Sequence, residues 1–132
     1  MMKSGRQIAR GSVTAALWGT LSITVVAQPP YTTAQANAGE IEFDRKCAEC
    51  HEPLDGFPRR APALFGADFE DRWRERPVRD LFVRMRDGMP PAGVRPTGDG
   101  FTNVLAYLLR LNGQSAGTVP LDPLSYEPLF AP

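Results

Sequence analysis

The run Cys47-Ala48-Glu49-Cys50-His51 constrains this chain more than any other stretch. On a helical turn, Cys47 and Cys50 stand three apart and share a face, with roughly 5–6 Å between their Cβ atoms. His51 lies four residues after Cys47 and falls on the same face. It is the only histidine in the chain. Such spacing suits two thiols that add to the two vinyl groups along one side of a porphyrin, with an imidazole nitrogen turned towards the iron. A Cys-x-x-Cys-His run therefore reads as a covalent haem attachment site. Three other chemistries compete with it. Zinc wants four ligands, usually from two separated pairs. This chain has two Cys and one His, and Cys50 and His51 are neighbours that converge poorly on one small ion. A thioredoxin-like redox pair needs a βαβ context, and no strand pattern surrounds the run. A plain disulfide, or a chance match, is the third.

Residues 1–36 read as a secretory signal and leader. Lys3, Arg6 and Arg10 form a basic start, residues 12–27 are uncharged and mostly apolar, and small-residue tripeptides follow at Val25-Val26-Ala27 and Ala34-Gln35-Ala36. Cleavage after Ala36 is the first expectation and after Ala27 the second. An uncleaved membrane anchor is the alternative, and only it brings membrane contact. The uncharged run 11–27 sits at the short limit for spanning and is diluted by Gly, Ser and Thr. Either way the rest of the chain is exported, to the periplasm in a bacterium, which agrees with thiol-attached haem.

The charge count looks balanced, with 15 Lys+Arg against 15 Asp+Glu. No acid precedes Glu40, so without residues 1–36 the chain has 12 bases, 15 acids and a net charge of −3. That is not a nucleic-acid-binding balance.

Structure is expected to begin at Asn37, as an N-cap with Glu40 three residues on. A helix over 38–47 would put Gly39, Phe43 and Cys47 on one face, with Glu42 and Lys46 paired outside. The prolines at 53, 58 and 62 impose an irregular loop. Ala63, Leu64 and Phe65 after it are apolar and suit packing on a porphyrin or an ordinary core. A short helix over 69–75, capped by Asp68, pairs Phe69 with Trp73. From Pro77, Val78, Leu81, Phe82 and Met85 make a clean helical stripe that Gly88 ends. The strongest helix covers 101–111, with Phe101, Val104, Leu105, Leu108 and Leu111 on a broad apolar face, closed by Asn112-Gly113. Residues 114–132 read as an extended, proline-rich tail whose Leu121, Leu124, Leu129 and Phe130 pack on a surface, its own or a partner's.

A thioether is a soft ligand able to take a second axial position on haem iron. Met85 sits in the helical stripe, where packing explains it. Met89, between Gly88 and Pro90-Pro91, lies in a stiffened loop and is the preferred ligand. The competing reading is a buried loop Met beside a pentacoordinate or water-ligated haem.

The order of helix, Cys47…His51, proline-rich loop, Met89-Pro90 and final amphipathic helix with Ala106-Tyr107-Leu108 resembles a class I, mono-haem c-type cytochrome. The resemblance covers about residues 37–113. It implies an all-α fold, a small cytochrome c domain of about four helices wrapped around one covalent haem c. Its first and last helices would cross, with Gly39 permitting close approach and Gly39 and Phe43 meeting Tyr107. The resemblance also implies that the Pro62 carbonyl accepts from His51 Nδ1, fixing the imidazole tautomer. It implies that the Trp73 indole donates to a haem propionate. The particular run Phe69…Trp73-x-x-Arg76-Pro77…Leu81-Phe82…Met89-Pro90 is similar to cytochrome c subunits or domains that accompany quinoprotein dehydrogenases. Those often carry a Pro-Gly-Ser-Leu-like run before the last helix, where this chain has Arg95-Pro96-Thr97-Gly98-Asp99-Gly100.

The ligand set His51 and Met89 leaves no open position and points to one-electron transfer. The partners would be redox proteins: a dehydrogenase as donor and an oxidase or another cytochrome as acceptor. The chain would itself be no enzyme. A haem sensor or peroxidase-like enzyme with a labile sixth ligand is the alternative. The arginines at 59, 60, 72, 74, 76, 79, 84 and 86 dominate the middle third. They read as a solvated surface, with one or two on propionates and others steering an acidic partner.

Overall fold

The computed structural model describes residues 29–52 and 58–130. The basic start and apolar run of the expected signal, and residues 53–57 of the proline-rich loop, lie outside them. Among the described residues the chain is all-α, with five helices: α1 Thr33–Lys46, α2 Ala48–His51, α3 Ala67–Trp73, α4 Val78–Gly88 and α5 Gly100–Leu111. Bridging between extended segments is limited there to two isolated pairs, Thr32 with Gly117 and Pro77 with Pro128.

α1 begins five residues before the expected start. Thr32 and Gln35 form a capping box. The Thr32 hydroxyl accepts from the Gln35 N–H at 3.2 Å, and Gln35 Oε1 accepts from the Thr32 N–H at 3.1 Å. Each bond satisfies a donor that a helix start leaves orphaned. Asn37 is not the cap. It lies inside α1, and its Oδ1 accepts from Arg110 at 2.6 Å.

The expected leader is corrected with it. Pro29, Tyr31 and Ala36 are all buried, so folded structure reaches back at least to Pro29. The Tyr31 hydroxyl donates to the Gln114 carbonyl, and the Tyr31 carbonyl accepts from the Gly117 N–H at 2.7 Å. A cut after Ala36 would remove the first turn of α1. A chain starting at Asn37 should be less stable than one starting at Gln28, by about 1 kcal/mol for the cap and roughly 2 kcal/mol more for the buried Tyr31. Denaturant midpoints of the two chains check this. The intact mass of exported protein should match cleavage after Ala27.

α1 and α5 cross at closest approach where Gly39 faces the Asn103 backbone. A Cβ on Gly39 would lie 1.8 Å from the Asn103 carbonyl oxygen. The nearest atoms to Gly39 across the crossing are those of the Asn103 and Val104 backbone. Phe43 does reach Tyr107, with ring centroids 5.1 Å apart. Arg110 clamps the crossing from outside through Glu40 at 2.9 Å. Val104 to Leu109 are all buried, so α5 is covered on every side rather than along one stripe.

α3 opens at Gly66, not Asp68. Gly66 has φ 82, a left-handed conformation that costs glycine nothing. Its carbonyl accepts from both Phe69 and Glu70 N–H at 3.0 Å. Asp68 and Glu70 then fall in the first turn, where carboxylates suit the positive end of the helix. In α4, Val78, Leu81 and Met85 are buried and Phe82 half-buried, as the stripe requires. The tail packs on its own domain: Leu121, Leu129 and Phe130 are buried, while Leu124 is exposed. α4 has no side-chain cap. Instead the tail's Glu127 and Ser125 carbonyls accept from Val78 N–H at 2.9 Å and Arg79 N–H at 3.1 Å. Gln114 ties the tail down by donating to the Leu129 carbonyl at 2.6 Å.

Candidate functional site

The Cys-x-x-Cys-His run straddles a break between two helices. Cys47 ends α1 with φ −125 and ψ −41, and its carbonyl then accepts from Cys50 N–H at 3.1 Å and His51 N–H at 3.0 Å. One new turn is thereby built on Cys47, and it carries His51 round to face the loop at Pro62. His51 Nδ1 lies 2.7 Å from the Pro62 carbonyl oxygen. A carbonyl can only accept, so Nδ1 carries a proton; in the neutral imidazole that places the lone pair on Nε2.

A cavity of about 600 Å³ opens beside this turn, within the roughly 300–1,000 Å³ of small-molecule and cofactor sites. Cys47, His51, Pro62 and Leu64 line it, and so do Trp73 and Met89. Of the residues expected at the site, only Cys50 is missing from the lining. It is half-buried beside it, and its carbonyl holds the Ala61 N–H at 2.9 Å. Met85 also reaches the cavity, from α4. Met89 is half-buried in the loop that follows, with its N–H on the Met85 carbonyl at 2.9 Å.

Burial, with the charge of Glu42 adding to it, pushes the Cys47 thiol up to about 11. At neutral pH it is a thiol, not the thiolate that binds metals or exchanges disulfides. Among the described residues no three His, Cys, Asp or Glu side chains converge to hold a metal ion. The Cys and His side chains here are therefore not arranged as a zinc set.

Two groups that position the site were not singled out from the sequence. Asn112, read only as a helix stop, donates to the Leu64 carbonyl at 3.0 Å and accepts from the Gly66 N–H at 3.1 Å. It pins the loop carrying Leu64 to the end of α5. Lys46, expected on the outside with Glu42, is largely covered. It pairs with Glu42 at 2.7 Å and reaches the Arg95 carbonyl at 3.4 Å. Arg95 in turn donates to the Arg86 carbonyl, so the loop after Met89 is tied to α1 and to α4. No periodicity marks contacts of this kind. A buried polar residue is found only once the loops are placed.

Arg72, Arg76, Arg79 and Arg84 line the α3–α4 wall of the cavity. Arg76 stacks over Trp73 at 4.8 Å and Arg79 over Tyr126 at 4.7 Å. The rest of the lining is mostly apolar, from Phe69, Leu81, Phe101 and Val104 among others. The arrangement suits a mostly apolar molecule that carries anionic groups. Comparison with family models, curated proteins and solved structures finds no match. No helix among the described residues is long and apolar enough to cross a membrane.

Proposed function

We propose that the chain is a periplasmic, mono-haem c-type cytochrome that carries single electrons. Cys47 and Cys50 would hold the haem by thioethers, and His51 and Met89 would ligate its iron. The observation that carries this reading is the bond between His51 Nδ1 and the Pro62 carbonyl. It fixes the tautomer that leaves Nε2 free, and it makes the imidazole a stronger donor. The cavity supports it further, since its size, mostly apolar lining and lining arginines suit an apolar group that carries carboxylates. When bound, the group supplies a one-electron Fe(III)/Fe(II) couple, raised in potential by the thioether.

The remaining work falls to the chain. The apolar wall of Phe69, Leu81, Phe101 and Val104 excludes water and so reduces the reorganisation that accompanies a change of charge. The ties from Lys46 and Arg95 restrain the Met89 loop. Trp73, beneath Arg76, has its indole N–H as a donor for a carboxylate. Electrons would arrive from a dehydrogenase and leave towards a terminal oxidase.

Protein exported alongside a haem-maturation system should carry one haem per chain that acid–acetone does not extract. After denaturation neither Cys47 nor Cys50 should react with iodoacetamide. Colour passing into the organic phase would sink the reading. Colour retained with Cys50 alkylated would mean a single thioether from Cys47.

A further inference from the structure

We propose that Asn112, at the end of α5, is a positioning residue for His51. It acts through residues 62–66, by holding the Pro62 carbonyl where His51 Nδ1 meets it. This rests on the haem reading, in which His51 is a ligand, and adds to it the group that fixes the ligand's ring. The helix end that carries Asn112 is itself fixed. Gly113 follows at φ 81, and the Gly113 and Gln114 N–H groups donate to the Arg110 and Leu109 carbonyls, each at 3.0 Å. That is the paired closure of a Schellman motif. Gln114 is buried and held from two sides. Its carbonyl accepts from the Tyr31 hydroxyl, and its side chain donates to the Leu129 carbonyl at 2.6 Å.

The carboxamide on this platform is fully engaged. Nδ2 donates to the Leu108 carbonyl of its own helix at 2.8 Å and to the Leu64 carbonyl of the loop at 3.0 Å. Oδ1 accepts from the Gly66 N–H at 3.1 Å. Turning the amide over would set an oxygen against two carbonyls and an NH2 against an N–H, so one orientation alone is satisfied. The start of the same loop is tied elsewhere. Arg60, Ala61 and Pro62 bond to Glu49, Cys50 and His51. Those bonds join the loop to the turn that carries His51, and loop and turn could shift together. Asn112 refers the loop to α5, and it does so two residues beyond the Pro62 carbonyl. Without that tie the acceptor that orients the imidazole is free to drift, and a ligand's ring is held by such an acceptor.

Hydrogen exchange, read by NMR on the reduced haem protein, tests this. In the parent the Gly66 N–H, the Asn112 side-chain N–H pair and the His51 Nδ1–H should all exchange slowly. Asn112→Ala should quicken His51 Nδ1–H exchange by on the order of tenfold more than its loss of global stability accounts for, because a local opening now exposes that proton. Thr32→Ala, which removes the α1 cap, should quicken it only in step with stability. Asn112→Asp keeps the shape of the side chain but aims a carboxylate oxygen at two carbonyls, so it should behave like Asn112→Ala. A residue that merely packs would tolerate that change. The reduction potential of Asn112→Ala should rise, because an imidazole that loses its acceptor donates less to iron, and that of Thr32→Ala should not move. Fast exchange at Gly66 in the parent, Nδ1–H exchange that follows stability in both Ala variants, an Asn112→Asp protein that matches the parent, or a potential that does not rise would overturn this inference alone. Protein without haem would overturn it together with the function it rests on.

Discussion

Met89→Ala should turn the ferric protein partly high-spin and abolish the weak red charge-transfer band of a Met–iron bond. The reduced variant should bind carbon monoxide readily, and the parent only poorly. Its potential should fall, because a thioether favours Fe(II), and axial ligation sets haem potentials over a range of about 0.8 V. Both Met85 and Met89 reach the cavity, so the assignment needs a control. Met85 is buried on the packing face of α4, and Met85→Ala should cost roughly 2–5 kcal/mol of stability with little spectral change. If Met85→Ala opens the iron and Met89→Ala does not, the ligand is Met85. If the parent binds carbon monoxide quickly, the sensor or peroxidase-like reading takes over.

Gly39→Ala should be the most damaging single methyl in the protein. The added carbon would sit 1.8 Å from the Asn103 carbonyl oxygen and 2.4 Å from its carbon. Both are backbone atoms of a fully packed helix, so no side chain can swing aside. The cost should reach or exceed about 3 kcal/mol, the upper end for overpacking a core. Gly88→Ala is the matched control: it also lies in a helix, and an added Cβ meets nothing within 4 Å. That change should be neutral or stabilising by up to about 1 kcal/mol. Denaturant midpoints compare the two, and equal shifts would mean that α1 and α5 do not cross so closely.

The elements with strong periodicity were legible. Val78, Leu81 and Met85 announce α4, and the apolar face of α5 announces the last helix. The Cys-x-x-Cys-His run and Met89 could be named as candidates, and the structure brings Cys47, His51 and Met89 to one cavity. The start of α1 was not legible, because Ala34-Gln35-Ala36 looks like a cleavage tripeptide and Pro29-Pro30 like a linker. The capping role of Thr32 shows only when Gln35 is seen folded back on it, and Gln35 has a second commitment far along the chain, accepting from Leu121 N–H at 2.9 Å. Asp68 was mistaken for a cap because acids are good caps. Gly66 wins by a backbone conformation that composition does not record. The tail has no period of its own, so its place could be read only from what it covers.

That tail also sets a schedule. α4 begins without a cap until the carbonyls of Ser125 and Glu127 arrive, and Phe69 lacks Phe130, 6.0 Å away between ring centroids, until then. α1, made first, waits for α5 before Gly39 has anything to face. The two halves of the fold are thus closed by residues 125–130, nearly the last ones described.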